Sequence, residues 1–196
     1  MLRRVANIKS SLIHVKIMSS QSSSSAIQTL SAALAILDQG ECLLRSLSVE
    51  SYTCRVPLAF NASIGGHYRH CLDHFNSLLR GVTTETVDYD HRERDVRIES
   101  DPAFALEVTC SIRDSLARLM PELLEARVSA RCEVSYSHDN SPLTGSTVGR
   151  ELVYVIAHAI HHYALISIMA RLIQVELPQH FGVAPSTLAH HQSAAA

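Results

Sequence analysis

Histidines are the residues of this sequence best suited to carry chemistry. The chain of 196 residues contains 12 His. Six of them fall into two groups, which we call the first and the second histidine cluster: His67, His70 and His74, and His158, His161 and His162. Imidazole nitrogens bind Zn, Ni, Fe and Mn, so histidines at such short spacing indicate a site for a divalent metal ion of one of these kinds.

The spacing within each cluster predicts which histidines point the same way if both segments are helical. Residues four apart lie about 40° apart around a helix axis, and residues three apart lie about 60° apart. The first cluster therefore occupies one helix face. His158 and His162 share a face of their own helix, whereas His161 points about 100° away from His162. We predict that His158 and His162 are ligands, that His161 is not, and that a member of the first cluster completes a three-histidine site. Helical geometry alone does not choose that member.

The alternative is that these histidines serve the fold, by bonding backbone carbonyls or by lining a polar surface. Two imidazoles buried four residues apart on an apolar helix are costly unless each ring nitrogen has a partner. A divalent ion would satisfy both rings, and the presence of two clusters favours this interpretation. Ala159 stands where the His-Glu-x-x-His zinc-protease motif requires Glu. The sequence also shows no glycine-rich phosphate loop, dinucleotide fingerprint, or Ser or Cys nucleophile motif.

Periodic apolar residues predict four helices that would position the two clusters. Their predicted ranges are 26–47, 64–80, 102–119 and 147–175. Asp101 and Pro102 form a strong helix start, and Gly81 suits a left-handed residue after the second helix. Residues 128–136 alternate between apolar and polar. The predicted fold class is all-α, an up-down four-helix bundle with a short β-hairpin or an extended loop before its last helix.

The two ends of the chain are predicted to lie outside the bundle, which spans residues 26–178. Residues 1–25 are rich in Ser and basic residues, contain no acid, and predict a disordered extension. An organellar transit peptide, or a true start at Met18, is the alternative for this segment. Residues 179–196 are predicted to form an irregular tail. We expect a cytoplasmic protein, or a mitochondrial one if the N-terminal segment is a transit peptide.

Composition excludes several classes of partner. Hydrophobic residues make up 46% of the chain and charged residues 18%, which is typical of a folded globular domain. The net charge of −2 gives no electrostatic basis for binding nucleic acid. No window of about 18 residues is apolar throughout, so we expect no membrane association. The five Cys form no close pair, which fits a reducing compartment.

Two segments resemble a known family. Residues 63–75 (SIGGHYRHCLDHF) resemble the second helix of the DinB/YfiT-like superfamily, and residues 158–165 (HAIHHYAL) resemble its His-x-x-x-His helix. The resemblance implies a four-helix bundle with a three-histidine metal site. It further implies a metal-dependent hydrolase or a thiol-dependent S-transferase that uses a low-molecular-weight thiol such as bacillithiol, mycothiol or glutathione.

The same resemblance assigns the metal ligands to His70, His158 and His162. This sequence departs from the family pattern by adding His67 and His74, which would orient a bound water or substrate beside the metal. Asp73, four residues after Arg69, could support the site as well, although its simpler role is an ion pair on the helix surface. Residues 163–165 (YAL) replace the Arg-Gly-Gln run that is common in the family.

Two functions of different classes follow from these features. In the first, a histidine-bound divalent ion activates water or a thiol for reaction with a small-molecule substrate. In the second, the metal is structural, and the protein is a non-catalytic binding or stress-response bundle. An open coordination position beside a pocket would favour the enzyme, and a closed four-ligand site would favour the binding module. A homodimer is compatible with both.

The charged segment between residues 88 and 101 leaves two interpretations open. It contains Arg92, Arg94 and Arg97 among six acids. Such a run is usually a solvated loop. The sharper hypothesis is that one of these arginines reaches the metal site and binds a substrate carboxylate through two parallel hydrogen bonds.

Overall fold

The computed structural model describes residues 2–136 and 141–194 of the chain. Within these residues it contains seven α-helices and one three-stranded sheet. The helices are α1 Leu2–Ser46, α2 Val49–Thr53, α3 Ile64–Thr84, α4 Val96–Ser100, α5 Pro102–Ala117, α6 Val148–Leu172 and α7 Pro185–Ala194. The strands are β1 Thr86–Asp88, β2 Arg127–Arg131 and β3 Leu143–Thr147. The central strand β2 pairs parallel to β1 and antiparallel to β3.

Four of the helices form the predicted bundle. Helix α3 packs against α5 and α6, and α1 packs against the same two helices from the opposite side. Fully buried Leu37, Leu72, Leu116 and Leu152, one from each helix, lie in the shared core. The β2–β3 hairpin comes directly before α6, as the alternating residues indicate. The predicted fold class, a mainly α bundle with a short β element, is confirmed.

Helix α6 is the central helix of the molecule. Among the described residues it is the one helix whose length and apolar composition would also suit a membrane span. This property arises because the sequence between Glu151 and Arg171 contains no Lys, Arg, Asp or Glu. The core helix of a bundle has the same composition, and α6 packs against both α1 and α3. About 33% of that apolar window is buried in the fold, so these contacts account for part of its apolar character.

The structure differs from the sequence prediction at the N-terminus. The backbone of α1 is helical from Leu2, whereas residues 1–25 are predicted to be a disordered extension. Among the side chains described in α1, which begin at residue 23, the serines at 23–25 are exposed and Ala26 is the first to be buried. The predicted start of the core at residue 26 and the first buried side chain thus coincide.

Removal of residues 1–24 is expected to leave the stability of the bundle unchanged. Among the side chains described in α1, the serines at 23–25 are exposed and Ala26 is the first to be buried. A chain that starts at Ser25 should therefore melt within about 2 °C of the full chain, which corresponds to less than about 1 kcal/mol. Thermal unfolding followed by circular dichroism measures this. A drop of many degrees would show that the extension packs on the bundle.

Helix α3 is longer than predicted, and the role of Gly81 is corrected. The helix continues to Thr84, and the left-handed residue after it is Glu85, with φ 57°. Gly81 lies inside the helix, where a Cβ atom would come within 2.3 Å of Val87 Cγ2. Gly81 is therefore a contact residue that lets β1 pack against α3, rather than a helix terminator.

Gly65 allows α4 to pack against the start of α3. A Cβ atom at Gly65 would lie 2.2 Å from the carbonyl oxygen of Glu99 and 2.8 Å from the Tyr52 ring. The neighbouring Gly66 has more room, since its nearest contact would be Ser63 Oγ at 3.3 Å. This close approach explains a weak helix former in the first turn of α3, where Ser63 caps the helix by accepting from the Gly66 N–H.

The Gly65→Ala variant is expected to be strongly destabilised, and Gly66→Ala serves as its matched control. The new methyl group of Gly65→Ala meets a backbone carbonyl that cannot move without shifting α4. We expect a loss of about 2–3 kcal/mol in the free energy of unfolding, or about 5–10 °C in Tm. For Gly66→Ala, a small steric cost is offset by better helix propensity, and the change should stay within about 1 kcal/mol. Equal losses in both variants would contradict the contact described for Gly65.

The C-terminal residues are more ordered than the predicted irregular tail. Helix α7 spans Pro185–Ala194, where residues 179–196 are predicted to be irregular. Before it, Phe181 is buried and its ring stacks on that of Tyr163 in α6, with the centroids 4.7 Å apart. The Ser167 hydroxyl donates a hydrogen bond to the Phe181 carbonyl at 2.9 Å. The segment is held by these tertiary contacts, which periodicity alone cannot indicate.

Candidate metal centre

Helices α3 and α6 bring the two histidine clusters face to face. Nδ1 of His67 lies 2.8 Å from Nδ1 of His162. Nε2 of His70 lies 2.9 Å from Nε2 of His158. Residue numbers rise along α3 as those of the partners fall along α6, so the two helices run antiparallel. The first cluster therefore lies opposite the face of α6 that carries His158 and His162.

Three histidines present ring nitrogens close enough to share one metal ion. His70, His74 and His158 each offer a nitrogen, and the three atoms lie within 4.8 Å of one another. This group shares His70 and His158 with the ligand set implied by the family resemblance, and contains His74 in place of His162. The His162 ring is adjacent, with its centroid 4.6 Å from the centroids of His70 and of His158. The cluster thus offers four rings from which three ligands can be drawn.

Hydrogen bonds assign which nitrogens of these rings are free to bind metal. Nδ1 of His74 lies 2.9 Å from the carbonyl oxygen of His70, so Nδ1 carries the proton and Nε2 keeps its lone pair. In the contact between His67 and His162, either Nδ1 atom can be the hydrogen-bond donor. If His162 Nδ1 donates to His67, the lone pair of His162 Nε2 is free for a metal. His67 would then fix the tautomer of His162.

Burial keeps the clustered histidines in the neutral form that metal binding requires. Burial lowers the pKa of His74 to about 4 and, together with the nearby imidazoles, the pKa of His162 to about 3. The pKa of His70 falls further for the same two reasons. Burial also lowers the pKa of His67 and of His158. A set of neutral, converging imidazole nitrogens suits Zn, Ni, Fe or Mn, so the residues present fit a divalent ion.

Residues outside the clusters complete the surroundings. The Tyr89 ring stacks on His74 with the centroids 5.2 Å apart, and the Tyr154 ring stacks on His158 at 5.7 Å. The Tyr89 hydroxyl donates to the buried carboxylate of Glu151 at 2.8 Å, and a serine hydroxyl of β3 donates to its other oxygen at 2.6 Å. The sequence prediction missed these residues. Glu151 and Tyr154 precede His158 by seven and four positions on α6, and this same-face spacing is the signal that could have found them.

Comparison with known proteins decides the family. Residues 37–166 match the sequence pattern of the DinB superfamily. The chain belongs to the DinB superfamily. This confirms the resemblance carried by residues 63–75 and 158–165.

One solved structure and one curated relative are similar to this DinB protein. The crystal structure of YjoA, a DinB-like protein from Bacillus subtilis, shares the fold with a TM-score of 0.57 and 17% identity, and the match covers 80% of this chain and 99% of that chain. A protein named FK506-binding protein 5 from Rhizopus delemar is 33% identical over 118 residues, which are 60% of this chain and 31% of that protein. The chain thus matches less than a third of the length of that curated relative.

One side of the histidine cluster of this DinB protein opens on a cavity. The cavity has a volume of about 310 Å³, and His67, His70 and His162 form part of its wall. His74 is only 3% exposed and does not line it. A second cavity of about 390 Å³ is lined by Tyr89, Glu151 and other residues of the sheet and α6, and by no member of either cluster. Of these two cavities, only the one on the His162 side gives a ligand direct access to the cluster.

Asp73 has a more buried environment than the predicted surface ion pair. Its side chain is 4% exposed and accepts from Arg69 at 2.9 Å. Arg69 also donates to Glu99 of α4 at 2.9 Å, so one guanidinium bridges two carboxylates. Burial raises the pKa of Asp73 while the charge of Arg69 opposes that change. The covering helix α4 converts a predicted surface pair into a link between α3 and α4.

Of the three loop arginines, the structure brings Arg92 nearest to the histidine cluster. Arg92 is half-buried and donates to the carbonyl oxygen of Tyr89, whose ring contacts His74. Its positive charge is one of the smaller causes that lower the pKa of His70 and His74. Arg97, by contrast, pairs with Asp95 at 2.6 Å and lies far out on the surface. Arg92 does not line the cavity on the His162 side.

Acid is expected to destabilise the metal-free protein as the pH falls below about 6.5. In the unfolded chain histidines titrate near pH 6.5, whereas in the folded chain burial holds the pKa of His74 at about 4. Between these values the unfolded state binds more protons, so the free energy of unfolding falls as the pH falls, by about 1.4 kcal/mol per pH unit for His74 alone. Urea unfolding of chelator-treated protein between pH 7 and pH 4 measures this.

Two controls belong to this experiment. The His74→Gln variant should show a shallower pH dependence, because it removes one of the buried titrating groups. The His190→Gln variant is the matched control, since His190 is exposed in α7 and belongs to neither cluster. Stability that stays constant from pH 6.5 to pH 4.5 would contradict the neutral, buried state of the cluster.

Proposed function

We propose that this protein is a divalent-metal-dependent enzyme that acts on a small molecule, either by hydrolysis or by transfer of a low-molecular-weight thiol to an electrophile. The observation that carries the proposal is that His70 takes part in two features. It belongs to the group of converging ring nitrogens, and it lies on the wall of the cavity on the His162 side. A ligand in that cavity would sit beside an ion held by the cluster, which is the arrangement of a catalytic rather than a closed structural site.

His70, His158 and His162 would hold the ion on the cavity side, consistent with the family resemblance. A divalent ion held by three neutral imidazoles lowers the pKa of a bound water or thiol, which supplies a nucleophile at neutral pH. His74, tied to the His70 carbonyl and stacked on Tyr89, fixes the buried side of the cluster.

His67 is placed to orient a ligand in the cavity. It lies on the cavity wall beside His162, and burial lowers its pKa so that it is neutral at pH 7. Its Nδ1 is engaged by His162. When Nδ1 of His67 accepts from His162, Nε2 of His67 carries the proton and can donate a hydrogen bond to a ligand in the cavity.

Metal analysis followed by two activity screens tests the proposal. The protein purified without chelator should contain about one divalent ion per chain, and protein reloaded with Zn, Mn, Ni or Fe should be assayed with p-nitrophenyl esters and with monochlorobimane plus a thiol. We expect turnover in one of the two screens, abolished in His70→Ala and retained in His161→Ala. Bound metal without turnover in either screen would favour the non-catalytic binding or stress-response bundle.

A further inference from the structure

We infer that the substrate or thiol taken by this site carries a carboxylate, and that Arg55 in the cavity wall binds it. The inference rests on the proposed function, because it concerns the molecule that reaches the metal side of the cavity. It adds a residue that lies on neither of the two family motifs.

The charged residues of the cavity wall leave one cation without an acidic partner. Besides three histidines, the wall contains Arg55, Arg69 and Glu99. Glu99 accepts from Arg69 at 2.9 Å, and Arg69 is engaged by Asp73 as well. Arg55 donates to the carbonyl oxygen of Asn61 at 3.2 Å, and no carboxylate among the described residues lies within 4.0 Å of it. The remaining donors of Arg55 are therefore available to a ligand in the cavity.

The loop after Arg55, which is exposed, gives its guanidinium one backbone contact. Val56 pairs with Ala62 in an isolated β-bridge, which closes the loop. Within it, Phe60 and Asn61 adopt left-handed backbone conformations, with φ of 54° and 56°. Two consecutive non-glycine residues in this region are uncommon and persist only where the surroundings enforce them. This conformation presents the Asn61 carbonyl to Arg55.

The number of free charges and the size of the cavity define the ligand class. A guanidinium binds a planar carboxylate through two parallel hydrogen bonds. One unmatched arginine balances the single charge of a carboxylate better than the double charge of a phosphate. The volume of about 310 Å³ suits a small molecule. Such a ligand would place its reacting group near His70 and His162 and its carboxylate at Arg55.

A pair of thiols that differ in charge tests this inference directly. Mercaptoacetate carries a carboxylate, and 2-mercaptoethanol has a neutral hydroxyl in its place. Protein loaded with Co(II) should report the binding of either thiol through the sulfur-to-cobalt charge-transfer band. In the Arg55→Gln variant the preference for mercaptoacetate should fall by about 10- to 100-fold relative to the parent, which is the range of a hydrogen bond to a charged group.

Three further measurements separate a specific contact from general damage. The affinity for 2-mercaptoethanol should be unchanged in Arg55→Gln, because the neutral thiol makes no ion pair. The Arg55→Lys variant should recover part of the preference, since it keeps the charge and loses the paired geometry. The Arg171→Gln variant should behave as the parent, because Arg171 is nine residues beyond His162 on α6 and lines a different cavity.

The possible failures are distinguishable. An unchanged preference for mercaptoacetate in Arg55→Gln would overturn the inference and leave the metal centre intact. The inference would also be overturned if the parent and the Arg55→Gln variant each bound mercaptoacetate and 2-mercaptoethanol with equal affinity. A protein that binds no cobalt would overturn the proposed function, and this inference with it.

Discussion

The His70→Ala and His158→Ala variants are expected to lose their metal while the bundle stays folded. The two Nε2 atoms lie 2.9 Å apart across the α3–α6 interface. Both residues belong to the converging group and to the ligand set implied by the resemblance. Structural zinc sites bind with about 10–16 kcal/mol over four ligands, so one ligand accounts for about 3 kcal/mol, or at least about 100-fold in Kd.

Zinc titration in competition with a chromophoric chelator measures this loss, and dialysis followed by elemental analysis checks it. Both variants remove an imidazole at the half-buried centre of the interface, so circular dichroism should confirm that they remain helical. The control is His161→Ala, since His161 is exposed and its centroid lies 5.3 Å from that of His162. His161→Ala should bind zinc as the parent does. Full occupancy in His70→Ala would refute the assignment of the metal centre to this cluster.

The helices and the faces of the clusters could be predicted because their determinants are local. Asp101 accepts from the N–H groups of Ala103 and Phe104 at the start of α5, as its position before Pro102 predicts. The three- and four-residue spacing of the histidines places them on facing surfaces of α3 and α6. These features depend on residues within one turn of each other, which the sequence displays directly.

The remaining features depend on contacts between distant residues. The sequence predicts a helix end at Gly81 because glycine favours that position. In the structure Gly81 is needed because Val87 of β1 packs directly against it. The sequence predicts that Asp73 lies on the surface, because nothing in its own helix indicates that α4 covers it. Arg55 lies in a short loop with no motif, and its relation to the cavity comes from the packing of α3 against the preceding segment. No local pattern carries such information.

The third ligand is the point on which the ring-nitrogen geometry and the family resemblance differ. His74 belongs to the converging group, but it is 3% exposed, stacks on Tyr89 and does not line the cavity. His162 lies on the cavity wall with His70. An ion that meets a ligand from the cavity must be held on the cavity side, so a catalytic site requires His162. The buried His74 would then support the cluster from behind.

The His162→Ala and His74→Ala variants are therefore expected to differ in metal affinity. His162→Ala should weaken zinc binding by at least about 100-fold, the cost of one ligand, whereas His74→Ala should weaken it by about 10-fold, the lower end of the effect of residues that orient ligands. The visible spectrum of the Co(II)-loaded protein is an independent measurement. Loss of a ligand changes the coordination of Co(II) and hence the visible absorption bands. Loss of a supporting residue leaves the shape of the spectrum unchanged. The reverse order, with His74→Ala the more severe variant and an altered cobalt spectrum only there, would place the ion on the buried side of the cluster and refute its access from the cavity.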